Sequence, residues 1–306
     1  MGLRIKTNVA SINAQRRLRQ STQALQGNMN KLSSGERINK SADDAAGLAV
    51  SENLRADIRS LNMARRNGSD GISLVQTAEG GLMEISNMVV RLRELAVQGA
   101  SDTIGNKERE FLDKEFLQLK DEIDRITNTT EFNGTRLLVG NADLPEEMSG
   151  DRNSFPLEIQ VSKDYFIESD AIDKRNPANI IKLDFENINA FTSGDGSLEI
   201  GTHEEGTRVN TKESAQLSLN TLDKALFKIN DYRAYLGSVQ NRLGSAINNL
   251  DVQIENLTEA NSRIRDTEFA QETALLTRNS ILQQAGTSVL ANANAQPQVA
   301  LNLLNS

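Results

Sequence analysis

Several residue types are scarce or missing in this 306-residue sequence, and each absence excludes something. It contains no cysteine and no tryptophan, and only 3 tyrosines and 9 phenylalanines. Without cysteine there are no disulfides, thiolate metal sites or cysteine nucleophiles. Residues 1–110 carry no aromatic side chain, and none follows Phe269. Ends built from Leu, Ile, Val, Met and Ala favour narrow helix–helix seams over a thick globular core.

Long apolar runs are also absent. No run of 18 apolar residues predicts a membrane span, and no apolar stretch at the N-terminus precedes a small-residue cleavage site. If the protein leaves the cell, we expect a route that uses no cleaved signal peptide.

Motifs for catalysis are incomplete. His203 is the only histidine, and the run that begins with it, His203–Thr207, opens like a zinc-protease helix but lacks the second histidine. The Gly-rich run Ser193–Ser197 lacks the Lys-Ser/Thr pair of a phosphate-binding loop, and no G-x-S-x-G nucleophile elbow occurs. The sequence therefore predicts no catalytic residue, no cofactor, no metal site and no enzymatic activity.

Charge is unevenly distributed along the chain. Residues 141–212 carry 15 acids and 7 bases, which accounts for the whole net charge of −8. Acidity confined to the middle indicates a part that faces solvent, and it argues against a main role in nucleic-acid binding. The segment 1–35 carries bases but no acid.

A long heptad pattern follows the middle zone. Steps of four and three residues from Ala215 to Ile264 meet apolar side chains at twelve of fifteen positions. A helix of this length spans about 75 Å at ~1.5 Å per residue, so it needs partner helices along its course. The residues that we expect to form this packing seam are Leu222, Leu226, Ile229, Leu236, Leu243, Ile247, Leu250, Ile254 and Leu257.

The N-terminal part of the chain, 1–140, also shows helical periodicity. Apolar residues recur with spacings of three and four over 82–96 and 112–126, and Gly99–Gly105 predicts the turn between two antiparallel helices. In the middle zone, Leu157–Val161 and Ile181–Phe185 alternate as strands do. Asn133-Gly134 predicts a β-turn.

The C-terminal stretch Asn279–Ser306 carries no charged side chain. It consists largely of amides, small residues and spaced Leu, Ile and Val. A helix exposed to water usually carries charge, and a membrane helix would not carry so many amides. We expect a helix that is weakly held alone and buried among copies of itself; a frayed tail is the alternative.

The run Leu32–Ala49 predicts a joint between two helices. Gly35 is suited to end the first helix, because glycine tolerates the left-handed backbone of a helix end. Ser41, with Asp44 three residues later, has the form of a capping box and predicts where the second helix begins.

The joint closely resembles the one near the N-terminus of bacterial flagellins, and the likeness covers about 1–140 and 213–306. Further matching motifs are Thr7–Ser11, Gly71–Leu82, Arg91–Gln98, Phe132–Gly134 and Leu282–Asn294. The resemblance implies a mainly α fold, in which the N- and C-terminal segments form a long antiparallel coiled-coil rod with a small β-rich insertion.

The resemblance also implies three regions. Residues 1–42 and 267–306 would form an inner coiled coil that lines the lumen of a filament. Residues 43–140 and 213–266 would form a helical rod with a β-hairpin element, and 141–212 a variable surface insertion.

The implied function is that of a structural subunit which polymerises into the flagellar filament for swimming motility, outside the cell. Implied partners are other copies of the chain, an export chaperone, the filament cap and hook-associated proteins. In flagellins that Toll-like receptor five recognises, the matching contact positions are Arg91, Leu95 and Glu115. Three alternatives stay open: a hook–filament junction protein, an enzyme carried in the middle zone, and a secreted coiled-coil translocator.

Overall fold

The computed structural model describes residues 7–140, 156–164, 179–194, 196–202 and 206–304, with side chains up to residue 296. The elements are α1 (Val9–Ser34), α2 (Ala45–Gly99), α3 (Asn106–Thr129), β1 (Glu131–Phe132), β2 (Thr135–Arg136), β3 (Leu157–Gln160), β4 (Ile180–Leu183), α4 (Lys212–Arg265) and α5 (Phe269–Leu304). The protein is thus mainly α with two small antiparallel sheets, which confirms the fold class predicted from the sequence.

The chain divides into two compact units. A terminal unit comprises Met1–Ile58 and Glu255–Ser306, and a central unit comprises Arg59–Ile254. The divisions fall inside α2 and α4. The boundaries predicted from the sequence, at residues 42 and 267, stay a prediction.

In the central unit, α2 and α4 run antiparallel. A Cβ placed on Gly68 would lie 3.1 Å from Cγ1 of Ile247, and one on Gly99 would lie 3.4 Å from Cβ of Ala215. Arg65 pairs with Asp251 at 3.3 Å, and Arg93 pairs with Asp223 at 2.7 Å. The same alignment is therefore kept over the whole central length of both helices.

The buried face of α4 is broader than the heptad pattern indicated. The column that holds Leu222, Ile229, Leu236, Leu243 and Leu250 is buried as expected. The second column expected from the sequence, which includes Leu226, Ile247 and Ile254, is only half-buried, as is Leu257.

A column of smaller residues on α4 is buried instead, namely Ser218, Ala225 and Val239. Ser218 donates a hydrogen bond to the carbonyl oxygen of Arg208 at 3.0 Å, so small side chains here let the chain before α4 approach the helix closely. Two buried columns and one half-buried column therefore line α4, as expected of a helix that is covered from more than one side.

The predicted turn between α2 and α3 is present at residues 100–105, and a buried arginine holds it. Arg109 is 7% exposed, and its guanidinium donates to the carbonyl oxygens of Gly99 at 2.8 Å and Ser101 at 2.9 Å. It also donates to the side chain of Asn106 at 2.9 Å. The last carbonyl of α2 thereby gains a partner that a helix end lacks, and a carbonyl of the turn is held by the same side chain.

Both β elements confirm their sequence signals. Asn133 and Gly134 have φ of 51° and 77°, the positive angles of the type I′ turn that joins β1 to β2. β3 pairs with β4, with Leu157 opposite Leu183. The backbone N–H of Val161 donates to the carbonyl oxygen of Asn179 at 3.0 Å, just beyond the end of this ladder.

The described part of the middle zone is not a surface layer throughout. Phe185, Ala190, Leu198, Ile200 and Val209 are each at most 1% exposed and belong to the same apolar core as α2, α3 and α4. The segment before α4 therefore completes the central unit. His203–Glu205 and the acidic stretches 141–155 and 165–178 lie outside the described residues.

Candidate functional site: the terminal helix pair and its joint

In the terminal unit, α1 and α5 pack against each other as an antiparallel pair. Asn8 caps α1 by accepting a hydrogen bond from the N–H of Ser11 at 3.0 Å, and its own amide donates to the carbonyl oxygen of Ala293 at 2.7 Å. The hydroxyl of Ser11 lies 2.7 Å from Oδ1 of Asn294. Neutral polar groups therefore make the contacts at this end of the pair.

Each helix of the pair leaves much of its apolar surface in solvent. Ser11 is the only buried residue of α1 among those described. The exposed large apolar residues, each between 37% and 63% exposed, are Val9, Ile12, Met29, Phe269, Leu275, Ile281, Leu282 and Val289. A shallow cavity of about 500 Å³ on α5 is lined by Ala274, Thr277, Arg278, Ile281 and Leu282. Helices of this kind are typical of segments that need further partners.

At the other end of the pair, two short chain segments are joined by backbone hydrogen bonds. Gly35 ends α1 with φ of 72°, and its N–H donates to the carbonyl oxygen of Lys31 at 2.9 Å. Its own carbonyl oxygen accepts from the N–H of Thr267 at 2.9 Å. Glu36 and Asp266 form an antiparallel bridge. A backbone hydrogen bond thus links the glycine that ends α1 to the residues just before α5.

The start of α2 differs from the capping box expected at Ser41. The helix begins at Ala45, and the carboxylate of Asp44 accepts from the N–H of Gly47 at 2.9 Å, so Asp44 rather than Ser41 is the cap. Ser41 lies in a turn. Asp43 closes that turn by accepting from the N–H groups of Asn39 at 3.2 Å and Lys40 at 3.0 Å, and these bonds lower its pKa.

Gly47 is required by packing at this point. A Cβ at Gly47 would lie 2.8 Å from Cδ1 of Ile38 and 2.5 Å from Oδ2 of Asp44. Ile38 is 1% exposed. A side chain at Gly47 would therefore displace either the buried side chain of Ile38 or the carboxylate of Asp44 that caps α2.

Arg265, the last residue of α4, ties the joint to α2. Its guanidinium lies 3.0 Å from Glu36 in the joint and 2.5 Å from Glu52 on α2, and its side chain is 14% exposed. The hydrogen bond from Arg265 lowers the pKa of Glu52, and the pair of carboxylates raises the pKa of Arg265. The guanidinium of Arg37 also donates to the carbonyl oxygen of Ile264 at 2.6 Å.

The positions that match the receptor contact lie in the central unit, and they do not share one surface. Arg91 on α2 donates to Oε1 of Glu115 on α3, at 2.8 and 3.0 Å, and to Glu94 at 2.9 Å. Arg91 and Glu115 are both half exposed. Leu95 is 1% exposed within the core, so it supports this surface from beneath and is not available for contact.

Sequence reasoning missed a row of buried polar side chains on α3. The carboxylates of this row accept from backbone N–H groups, Asp113 from Val209 at 3.0 Å and Asp124 from Thr192 at 2.8 Å. Lys120 donates to the carbonyl oxygens of Thr202 at 2.5 Å and Thr207 at 3.2 Å. Thr127 donates to the carbonyl oxygen of Ala190 at 3.1 Å. In each case a side chain of α3 binds the backbone of the segment before α4. The row therefore fastens that segment to α3.

Burial shifts two of these groups in ways that follow from the cost of desolvating charge. Burial lowers the pKa of Lys120 to about 8. The nearby carboxylates of Asp113 and Asp124 oppose this shift, because they favour the charged ammonium. Burial also raises the pKa of Asp124, although Thr192 donates to that carboxylate. No periodicity signals this row, because charged residues on a helix are usually solvated.

Within the described parts of the chain, no group of histidine, aspartate and glutamate side chains is arranged to hold a metal ion. None of the helices searched combines the length and apolarity needed to cross a bilayer.

Comparison with known proteins places these features in a family. Residues 5–143 match the model of the bacterial flagellin N-terminal helical region, and residues 219–304 match that of the C-terminal helical region. The chain is 41% identical to a flagellin of Bacillus subtilis over 99% of this chain and all of the other. It is 39% identical to a flagellar filament 33 kDa core protein of Treponema phagedenis, over 98% and 99%.

Among solved structures, a protein of Vibrio parahaemolyticus described as flagellar hook-associated covers 73% of this chain with a TM-score of 0.56 and 15% identity, and all of that protein is matched. That likeness shows a shared fold alone. The sequence relatives extend over nearly the whole chain at far higher identity, and the chain therefore belongs to the bacterial flagellin family, the structural subunits of flagellar filaments.

Proposed function

We propose that the α1–α5 pair is the part of this filament subunit that is completed by neighbouring copies. The single observation that carries the proposal is the exposure of apolar side chains in the part of α5 that has no charge. Ile281 is 60% exposed and Val289 is 58% exposed, in a stretch that has no charge to keep a lone helix soluble. Contact with other copies would bury these side chains and favour order in both helices.

We infer a layered arrangement from the same features. Residues 1–42 and 267–306 form the inner layer around the lumen, where the neutral amides of the charge-free stretch 279–306 would let an unfolded chain pass without binding to fixed charges. Residues 43–140 and 213–266 form the wall of the filament together with the core residues of the segment before α4, and the remainder of 141–212 lies toward the outer surface. The closed apolar core of the central unit supports the second assignment, because it needs no neighbour to be buried.

We extend the proposal to export and to partners. The chain would leave the cell through the hollow flagellum without a cleaved signal peptide and would be handled by an export chaperone, the filament cap and hook-associated proteins. We infer no catalytic role and no cofactor. A hydrolase assay of the full chain, with His203→Ala as control, tests this against the alternative of an enzyme carried in the middle zone.

Seeded polymerisation tests the role of the terminal pair. Purified full-length chain and a chain that ends at Arg278 are each added to short filament seeds, and elongation is measured by light scattering and electron microscopy. We expect the truncated chain to leave the seeds unextended while its central unit unfolds at the same denaturant concentration as in the full chain. Elongation at the same rate by both chains would contradict the proposed role of α5.

We propose Arg91 and Glu115 as a contact surface for Toll-like receptor five, without Leu95. Both side chains lie in solvent on adjacent helices, where a partner can reach them. We expect Arg91→Ala to weaken activation of receptor-bearing reporter cells. Arg93→Ala is the matched control, since Arg93 is similarly exposed but pairs with Asp223 on α4. Equal loss in both variants would contradict a specific contact at Arg91.

A further inference from the structure

Beyond Glu272, a carboxylate of α5 that is only 9% exposed and lies near the joint, the terminal helix pair has few features of its own that fix its register. Opposite charges on facing positions usually select one alignment of two helices. Residues 7–35 carry bases but no acid, and residues 279–306 carry no charge at all. The polar contacts at the far end involve Asn8, Ser11 and Asn294, and the sequence places a further amide, Gln298, about one turn beyond Asn294. A slip of one turn would therefore cost little along this stretch.

The pair is nevertheless aligned over its whole length from the joint. Gly35 bonds to Thr267 at one end, and Asn8 bonds to Ala293 at the other. Asn8 precedes Gly35 by nearly the same number of positions as Ala293 follows Thr267. Because both helices rise by the same distance per residue, about 1.5 Å, an alignment set at the joint is carried to the far end.

Arg265 is the side chain that holds the joint in place. It reaches Glu36 between α1 and α2 and Glu52 on α2, and two pairs sharing one guanidinium restrict its position far more than a single exposed pair would. Glu52 also lies 3.4 Å from Arg55 on its own helix. Arg263, two residues before, is 68% exposed and pairs with Glu259 on its own helix.

We propose that Arg265 is a positioning residue which sets the register of the α1–α5 pair through Glu36 and Glu52. Its ion pairs lie at the joint and not along the α1–α5 interface. Its effect is to fix where α5 begins relative to the end of α1, so that one alignment is selected before the charge-free segment pairs. The consequence for assembly rests on the function proposed above, whereas the register itself does not.

Disulfide trapping measures the register directly, since the chain has no cysteine of its own. A Cβ at Gly286 would lie 3.9 Å from Cβ of Leu18, within the range that a disulfide spans. Leu18→Cys is therefore combined with Gly286→Cys to report the observed register. Two further chains combine Leu18→Cys with Gln283→Cys or Leu290→Cys, which lie about one turn to either side on the same half-buried face of α5.

Each of these three chains is made with Arg265→Gln, with Arg263→Gln as matched control, and without either change. Cross-linking is measured by mass spectrometry in filaments grown from the full-length chains. We expect the Gly286 pair to dominate in the unchanged and Arg263→Gln backgrounds. In the Arg265→Gln background the ratio of observed-register to shifted disulfides should fall by at least about fivefold, the effect of roughly 1 kcal/mol.

An unchanged ratio in Arg265→Gln would overturn the proposal, and so would an equal fall in Arg263→Gln. If Arg265→Gln chains do not assemble, the ratio is measured with Glu52→Gln, which removes one carboxylate and leaves the arginine paired with Glu36. The exchange of charges in Arg265→Glu with Glu52→Arg should restore the ratio in part, whereas a merely structural loss would not be reversed.

The proposed function and the register fail in different ways. Full elongation by the chain truncated at Arg278 would remove the assembly role of α5 and leave the trapping ratio meaningful. If the chain truncated at Arg278 fails to elongate and the disulfide ratio is unchanged in Arg265→Gln, the assembly role of α5 stands and the positioning role of Arg265 is refuted.

Discussion

Helices α1 and α3 are nearly equal in length, 26 and 24 residues, and they differ sharply in how they are held. Seven residues of α3 are buried, whereas one residue of α1 is. α3 completes a core made of its own chain. Among the described elements, α5 is the one with which α1 makes extensive contact. Helices of nearly equal length therefore differ in how much of their stability their own chain can supply, and the proposed contacts with neighbouring copies would supply the rest for α1.

The two regions also treat polar groups differently. α3 buries Asp113 and Lys120 and gives each a backbone partner, which fastens a distant segment of the chain. α5 keeps neutral amides at its surface. Buried charges with fixed partners lock one arrangement within a subunit, because leaving them unpaired is costly. Exposed neutral amides form no ion pairs, so they do not tie the helix to one fixed partner.

The largest effect is expected in the central unit. Ile229 is fully buried on α4, so Ile229→Ala should lower the free energy of unfolding by about 2–4 kcal/mol through lost burial and the cavity left behind. Urea denaturation followed by circular dichroism measures this. Leu217→Ala on the same helix is the control; Leu217 is 70% exposed, and we expect a change within about 0.5 kcal/mol. Similar losses in the two variants would contradict the core assigned to α4.

A second prediction concerns pH and the segment held by Lys120. Its pKa is about 8 when folded and 10.5 when unfolded, so between these values the unfolded chain binds more protons and this group's contribution to stability increases with pH. Below pH 8 both states are protonated, and the full cost of the buried charge is present. At pH values above 10.5 that cost has disappeared. The shift corresponds to about 3 kcal/mol.

Lys120→Met removes this titration and serves as the comparison. The stability of the unchanged protein relative to Lys120→Met should rise by about 1–2 kcal/mol between about pH 7.5 and 9.5, since the variant has no such proton to lose. The charged groups that face Lys120 remain in both proteins, namely Asp113, Asp124, Asp121 and Arg208. Parallel pH profiles would show that Lys120 is not desolvated as described.

Features that depend on neighbouring residues could be predicted from the sequence. Asn133-Gly134 specifies its own turn, the run Gly99–Gly105 ends one helix before the next begins, and the column through Leu222 and Ile229 repeats every seven residues. Each signal is local, because the backbone angles or the helix period that it requires are set within a few residues.

Features that depend on distant segments could not be predicted in this way. Ser218 and Ala225 are buried because the chain before α4 lies on them, and neither residue is apolar enough to signal burial. In the sequence, Lys120 looks like any solvated lysine of a helix, because its partner, the carbonyl oxygen of Thr202, lies 82 residues away along the chain. One local feature could not be predicted either. Asp44 rather than Ser41 caps α2, while the adjacent Asp43 bonds to the preceding turn, and spacing alone does not show which of several neighbouring carboxylates and hydroxyls takes each role.

The smallest effect on subunit stability is expected where the same substitution is made in α5. Ile281 is 60% exposed, so Ile281→Ala should change the free energy of unfolding of the unassembled chain by less than about 0.5 kcal/mol, against several for Ile229→Ala. Seeded elongation should show the reverse order. Ile281→Ala should slow growth or raise the concentration at which filaments form, because the proposed contact between copies would bury this side chain. Ile229→Ala, studied where it is still folded, should extend seeds nearly as well as the unchanged chain. If Ile281→Ala weakens the isolated subunit as much as Ile229→Ala does, α5 is already held within its own chain, and the contrast between the two regions is wrong.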